Sequence, residues 1–174
     1  MAEKLEVEVV TAEGRLFTGA VDFAVVPAAE GELGILPRHV PLVATMKPGA
    51  VRLRVDGNDE LIFVSGGFVE VAHVPEVSTS EGGSNQGRGA ELGAAGASVT
   101  RVSVLADAGE RAHDIDEARA QEARRRAQEL LQQKLSQEGY AEAAGLLERS
   151  TARIRVAEVA RRRRARREPQ PPST

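Results

Sequence analysis

The sequence predicts a β-sandwich N-terminal domain followed by an antiparallel two-helix hairpin. Three observations carry this expectation. Apolar and polar residues alternate with a strand period from Leu5 to Val71, the period becomes helical after Asp107, and the stretch from Pro75 to Ser98 between them has little to bury. At 174 residues the chain has room for one core plus an appendage. The expected boundaries are a sandwich over 1–106 with a flexible insertion at 75–98, a hairpin over 107–167 and a disordered tail over 168–174.

Taken in order, Leu5-Glu6-Val7-Glu8-Val9 and Val51-Arg52-Leu53-Arg54-Val55 alternate as half-buried strands do, whereas Val21 to Pro27 and Leu61 to Val64 are more continuously apolar. Turn signals fall at Glu13-Gly14, Asp56-Gly57-Asn58 and Gly66-Gly67. Val69 to Val74 and Val99 to Ala106 read as the last hairpin, interrupted by the Gly, Ser, Ala and Glu of the insertion. Asp114-Ile115-Asp116-Glu117 offers an N-cap Asp with Glu at the third helical position, so a helix is expected from about Ile115. Its apolar stripe runs through Ala123, Ala127, Leu130 and Leu131, and Gly139 is expected to break it. A second stripe from Tyr140 passes through Ala143, Ala144, Leu147, Thr151, Ile154 and Glu158. Both stripes are shallow, which predicts a weakly docked, movable hairpin. Pro169, Pro171 and Pro172 end helical structure.

Composition narrows the function. The net charge of −3 divides unevenly, with 14 acidic and 7 basic residues in 1–100 but 12 acidic and 16 basic in 101–174. An acidic sheet half and a basic helical half suggest different partners, the second an acidic surface, a nucleotide or nucleic acid. Phe17, Phe23, Phe63, Phe68 and Tyr140 are the only aromatics, which disfavours a base-stacking platform. With no cysteine, disulfides, thiolate metal sites and cysteine nucleophiles are excluded. No apolar run approaches the roughly 20 residues of a membrane span, and Met1-Ala2-Glu3-Lys4 leads directly into a strand pattern, which predicts a chain soluble where it is made. No Walker A loop, Ser-His-Asp arrangement or paired catalytic carboxylates can be argued from spacing. His39, His73 and His113 are too far apart in sequence for a metal motif, so no metal is assigned.

The densest local instructions lie in Glu30-Gly-Glu-Leu-Gly-Ile-Leu-Pro-Arg-His-Val-Pro-Leu42. Gly31 and Gly34 permit positive φ, Pro37 and Pro41 fix φ and withhold N–H groups, and Leu33, Ile35, Leu36, Val40 and Leu42 supply burial. Together with Lys47-Pro48-Gly49 and Val64-Ser-Gly-Gly-Phe-Val-Glu-Val71, this run resembles the epsilon subunit of the F-type rotary ATP synthase. Ile115-Asp-Glu-Ala-Arg-Ala120 is similar to the Ile-Asp-x-x-Arg-Ala signature of its ATP-binding members. The insertion departs from that family, where the connection is usually a tight turn.

The resemblance implies a rotor component in the central stalk. Its sandwich binds the gamma subunit and the c-ring, with Glu32 and His39 as candidate contacts at the membrane-facing end. Its hairpin moves between compact and extended states and inhibits ATP hydrolysis when extended. The implied regulatory ATP ligands are Glu110, Asp116, Arg119, Ala120, Arg126, Arg149 and Arg153. Asp116, Arg119 and Arg126 lie on one helix face, and Arg149 and Arg153 are one turn apart, so hairpin formation would gather guanidinium forks suited to phosphate. The competing reading is a solvated basic face with ordinary pairs along each helix. Arg161, Arg162, Arg163, Arg164, Arg166 and Arg167 would face the catalytic beta subunits, beside alpha, when the hairpin extends. The implied subunit is non-catalytic, needs no cofactor, has ATP as a regulatory ligand and sits peripherally on the cytoplasmic face of a bacterial cell membrane. The implied synthase is proton- or sodium-translocating. The alternative is a β-sandwich binding module whose basic helical arm takes nucleic acid or an acidic protein, although the arm lacks a folded reader.

Overall fold

The computed structural model describes residues 3–75, 98–133 and 135–167; the body of the expected insertion and the expected tail lie outside the described residues. The strands are β1 (Leu5–Thr11), β2 (Gly14–Val21), β3 (Phe23–Ala28), β4 (Gly31–Ile35), β5 (Leu42–Met46), β6 (Gly49–Val55), β7 (Asn58–Val64), β8 (Gly67–Pro75), β9 (Ser98–Ala106) and β10 (Gly109–Arg111), followed by the helices α1 (Glu117–Leu131) and α2 (Gln137–Arg167).

The strands form a sandwich from one hydrogen-bonded path. One layer runs β10-β7-β6-β3, with β4 paired to β3, and the other runs β5-β8-β9-β1-β2. The layers join at a single β3–β5 pair, Ala28 with Met46. All neighbours are antiparallel except β1 and β9, which run parallel. Alternation sends Leu5, Val7, Val9, Val21, Ala24, Val26, Val51, Leu53, Ile62, Val64, Val69, Val71, Val102 and Val104 into the space between layers, where all are buried. The last hairpin pairs from Gly67 with Ala106 to Pro75 with Ser98, as the two interrupted strand patterns predict.

Turn chemistry sets the connections. Asp56 and Gly57 both have positive φ, 48° and 76°, in the two-residue loop between β6 and β7. Gly67 has φ 119°, and a Cβ there would lie 2.1 Å from the Leu105 carbonyl oxygen, so both backbone angle and proximity require glycine. In the Glu30 to Leu42 run, positive φ falls on Gly31 and on Arg38 (66°) but not on Gly34. Arg38 is held there by its backbone N–H, which donates to the buried hydroxyl of Thr100 at 2.8 Å.

The helical half begins later than its sequence suggests. Asp114 lies in a turn, its N–H donating to the Arg111 carbonyl at 2.9 Å, and the N-cap is Asp116, whose carboxylate accepts from the Arg119 N–H at 3.0 Å. The helix therefore starts at Glu117, without the expected Asp114–Glu117 capping box. Residues 109–111, expected within the helical half, instead form an edge strand on β7. Gly139, expected to break the first helical run, is not the break: α1 already ends at Leu131, and Gly139 lies in the first turn of α2. The Ser136 hydroxyl accepts from the Gly139 N–H at 3.2 Å, and α2 begins at Gln137. Ala120 and Ala127 are the buried positions of α1, whereas Leu130, expected on its inner stripe, is 39% exposed.

Leu61 to Val64 are buried at all four positions because both faces of β7 are covered. Ile62 and Val64 enter the sandwich core, while Leu61 and Phe63 point outward into a second core with Ala112, Ile115, Val156 and Ala157. Thus α2, packed against β6 and β7, ties the hairpin to the sheet.

Candidate functional site

The joint between α2 and the sandwich carries both apolar and ionic contacts. Arg153 lies over the Phe63 ring, 4.6 Å from its centre, and its Nε makes an ion pair with Glu110 of β10. This Nε is buried, and its N–H is not aligned for a hydrogen bond. Further along α2, Arg163 pairs with Asp59 of β7, and Arg161 donates to Glu117 at 3.2 Å. The Asp59 carboxylate also pairs with Arg54 of β6, so one carboxylate lies between two guanidinium groups.

The expected nucleotide ligands are divided by this arrangement. Glu110 and Arg153 meet, but they contact each other across the joint. Asp116 is occupied as the α1 cap. Ala120 is buried on the inner side of α1. Arg126 Nε donates to Glu122 at 3.0 Å along the same helix. Arg125 donates to the same carboxylate oxygen at 2.8 Å and to the other at 3.0 Å, and these donors, Arg125 foremost, hold the Glu122 carboxyl below its ordinary value. Arg149 is half-buried beside Gly145. Among the described residues, no hydrogen bond or ion pair links Arg119, Arg126 or Arg149 across the hairpin.

Glu32 is exposed on β4, 3.9 Å from Arg52, and borders a small cleft shared with Ala152, Arg155 and Val159 of α2. His39 follows in the turn, its Nδ1 2.9 Å from the Val40 carbonyl oxygen, and His73 Nε2 lies 2.9 Å from the His39 carbonyl oxygen. Leu36 and Val40 beside it are 61% and 69% exposed. In the basic tract, Arg161 and Arg163 have the partners described above, while Arg162, Arg164 and Arg166 are exposed. The Arg167 side chain lies outside the described residues.

One surface was missed by motif reading. Val43, Phe68 and Leu105 are all more than half exposed and occupy outward positions of β5, β8 and β9. Phe68 is paired directly with Leu105, while on β5 it faces Thr45 and lies diagonal to Val43, which is opposite Glu70, so three apolar side chains share one outer face without a polar-free row. The available signal was the strand alternation itself, with apolar residues in the solvent-facing register. Among the described residues, no group of three or more His, Asp or Glu is placed to hold a metal ion. No described helix is long and apolar enough to cross a membrane.

Known proteins share this architecture and sequence. The family described as ATP synthase, Delta/Epsilon chain, beta-sandwich domain matches residues 4–75, and its long alpha-helix domain matches residues 113–158. The ATP synthase epsilon chain 2 of Ralstonia nicotianae is 43% identical over 92% of this chain and 97% of that protein. The ATP synthase epsilon chain of Herminiimonas arsenicoxydans is 40% identical over 94% of this chain and 100% of its own length. A chain in the Euglena gracilis mitochondrial ATP synthase, solved as OSCP/F1/c-ring, shares the fold with a TM-score of 0.65 at 17% identity, covering 90% of this chain and 81% of that one. With its sandwich, its helical pair and these relatives spanning nearly its whole length, the chain belongs to the family of F-type ATP synthase epsilon chains.

Proposed function

We propose that the chain works as a non-catalytic rotor subunit, coupling c-ring rotation to the gamma shaft and braking ATP hydrolysis through its helical hairpin. The exposed Val43, Phe68 and Leu105 on one outer face of β5, β8 and β9 carry this reading, since large apolar side chains gathered on one exposed sheet face support a protein-binding role. Its partner is gamma. The Glu32 and His39 end faces the c-ring, which makes the subunit peripheral to the cytoplasmic side of a bacterial membrane. On leaving the sheet, the hairpin presents the arginine tract to the acidic surfaces of the beta and alpha subunits.

ATP acts as a regulatory ligand of the compact hairpin through Arg119, Arg126, Arg149 and Arg153, and opposes the brake by favouring one of two states. Family membership and the Ile115 to Ala120 signature support this role. Such a ligand must displace the Glu122 pair of Arg126 and recruit Arg153 from Glu110.

The test is capture of gamma by the full chain, compared with Phe68→Ser. The exposed substitution should leave stability within about 0.5 kcal/mol while weakening capture at least tenfold. Undiminished capture by Phe68→Ser would remove this face from the interface, and no capture by the wild type would remove the rotor role.

A further inference from the structure

A second basic site lies away from all the residues discussed as ATP ligands. Between the β6–β7 turn, the start of α1 and the end of α2 is a cleft of about 750 Å³, within the range of small-molecule sites. Five guanidinium groups line it, Arg54 from β6 and Arg161, Arg163, Arg164 and Arg166 from α2, against the carboxylates of Asp59, Glu60 and Glu117. None of Glu110, Asp116, Arg119, Ala120, Arg126, Arg149 or Arg153 reaches it.

The charges are incompletely matched. Asp59 serves both Arg54 and Arg163, Glu117 serves Arg161, and Glu60 lies 3.7 Å from Arg111 outside the cleft. Arg164 and Arg166 have no carboxylate partner among the described residues. An anion here would relieve like-charge repulsion and meet planar donor forks on two walls, one belonging to the sandwich and one to the mobile hairpin.

We propose that this cleft binds a linear phosphate chain, gripped between Arg54 and the arginines of α2, and that its occupant clamps the hairpin onto the sandwich. A tetrahedral chain suits the cleft better than a carboxylate peptide, since it concentrates several charges and radially directed acceptors in a small volume. Because the two walls separate when the hairpin leaves, the ligand binds the docked state alone and shifts the population toward it. The ligand is therefore read by its phosphates, whether it is inorganic or part of a nucleotide.

Calorimetric titration of the full chain with inorganic tripolyphosphate tests the site, with ATP in a parallel titration. Tripolyphosphate should bind at low salt and weaken as salt rises. Arg164→Ala/Arg166→Ala and, separately, Arg54→Ala should each lower affinity roughly tenfold or more, whereas Arg119→Ala/Arg126→Ala should leave it within about twofold. Should Arg54→Ala fail to melt cooperatively, Arg54→Lys keeps the charge but not the fork and should show a smaller loss. Equal affinities for ATP and tripolyphosphate identify the phosphate chain as the recognised group; exclusive ATP binding overturns phosphate-chain recognition. Binding that ignores Arg54 belongs to the tract alone and overturns the two-walled cleft. Loss on Arg119→Ala/Arg126→Ala moves the ligand to the hairpin, and absence of binding at millimolar tripolyphosphate removes the site. Failure of ATP to bind the hairpin leaves all these outcomes readable.

Discussion

Glu122 illustrates how a residue outside every motif can govern one inside it. Its carboxylate receives Arg125 and Arg126, so a phosphate approaching Arg126 competes with a pair already formed. Those donors lower the Glu122 pKa from its ordinary value of 4.5. A carboxyl depressed on folding stabilises the helix above its unfolded pKa, and that contribution is lost as pH falls through the folded value. NMR titration should therefore place the Glu122 midpoint below 4.5, and Arg125→Ala should raise it more than Arg126→Ala, since Arg125 is the larger cause. For ATP, Arg119→Ala and Arg126→Ala should each weaken calorimetric affinity by roughly tenfold, without turnover in either protein. Absence of wild-type binding at millimolar ATP would reduce the arginines to solvated helix faces. The sequence made these guanidinium groups visible but not their partners, because helix periodicity places residues on a face without choosing among nearby carboxylates. The sequence pattern puts the cap two residues early, at Asp114; the Asp114 turn and the burial of Ile115 leave that role to Asp116, a side chain of the same chemistry.

Among the elements, β7 decides whether the helical half has anywhere to sit. Its inward residues belong to the sandwich, and its outward Phe63 lies beneath Arg153 and in the cluster containing Val156. Phe63→Ala should cost about 3 to 5 kcal/mol in chemical denaturation, by analogy with buried aromatic truncations, and release the hairpin from the sheet. An unchanged midpoint would mean that this second core contributes little. The continuous apolar run Leu61 to Val64 made double-sided burial legible, since a strand with one wet face would alternate. The three residues of β10 were not legible, because so short an edge strand has no period to detect. Gly139 misled for a physical reason: one helical glycine costs only about 1 kcal/mol relative to alanine, and the Ser136 cap offsets part of that.

For the whole molecule, the separation into sheet and hairpin holds, but its seam falls after Ala112 rather than Ala106. A chain ending at residue 112 should fold cooperatively, while one ending at 106 should be less stable because β7 loses its edge partner β10. Thermal melts of the two chains compare these boundaries directly. Equal melting temperatures would mean that β10 adds nothing to the sheet. The general architecture was legible because strand and helix periods occupy separate stretches of sequence. The cleft formed by Arg54 and the end of α2 was not, since its walls lie more than 100 residues apart and only tertiary docking brings them together.

The single Ala28–Met46 pair between the two layers also has a mechanical consequence. Within either layer, a tangential force passes along ladders of hydrogen bonds, which are stiff and directional. Between layers there is almost no ladder, so the same force must cross through interlocked valine, leucine and isoleucine side chains. Such a joint resists compression well and sliding less well. A twist applied to the β5-β8-β9 face would reach the β6–β7 face, and the hairpin resting on it, partly as a small shear of the core. The sandwich would then act as a torsional spring between its two surfaces, with a stiffness set by the shape of its aliphatic side chains.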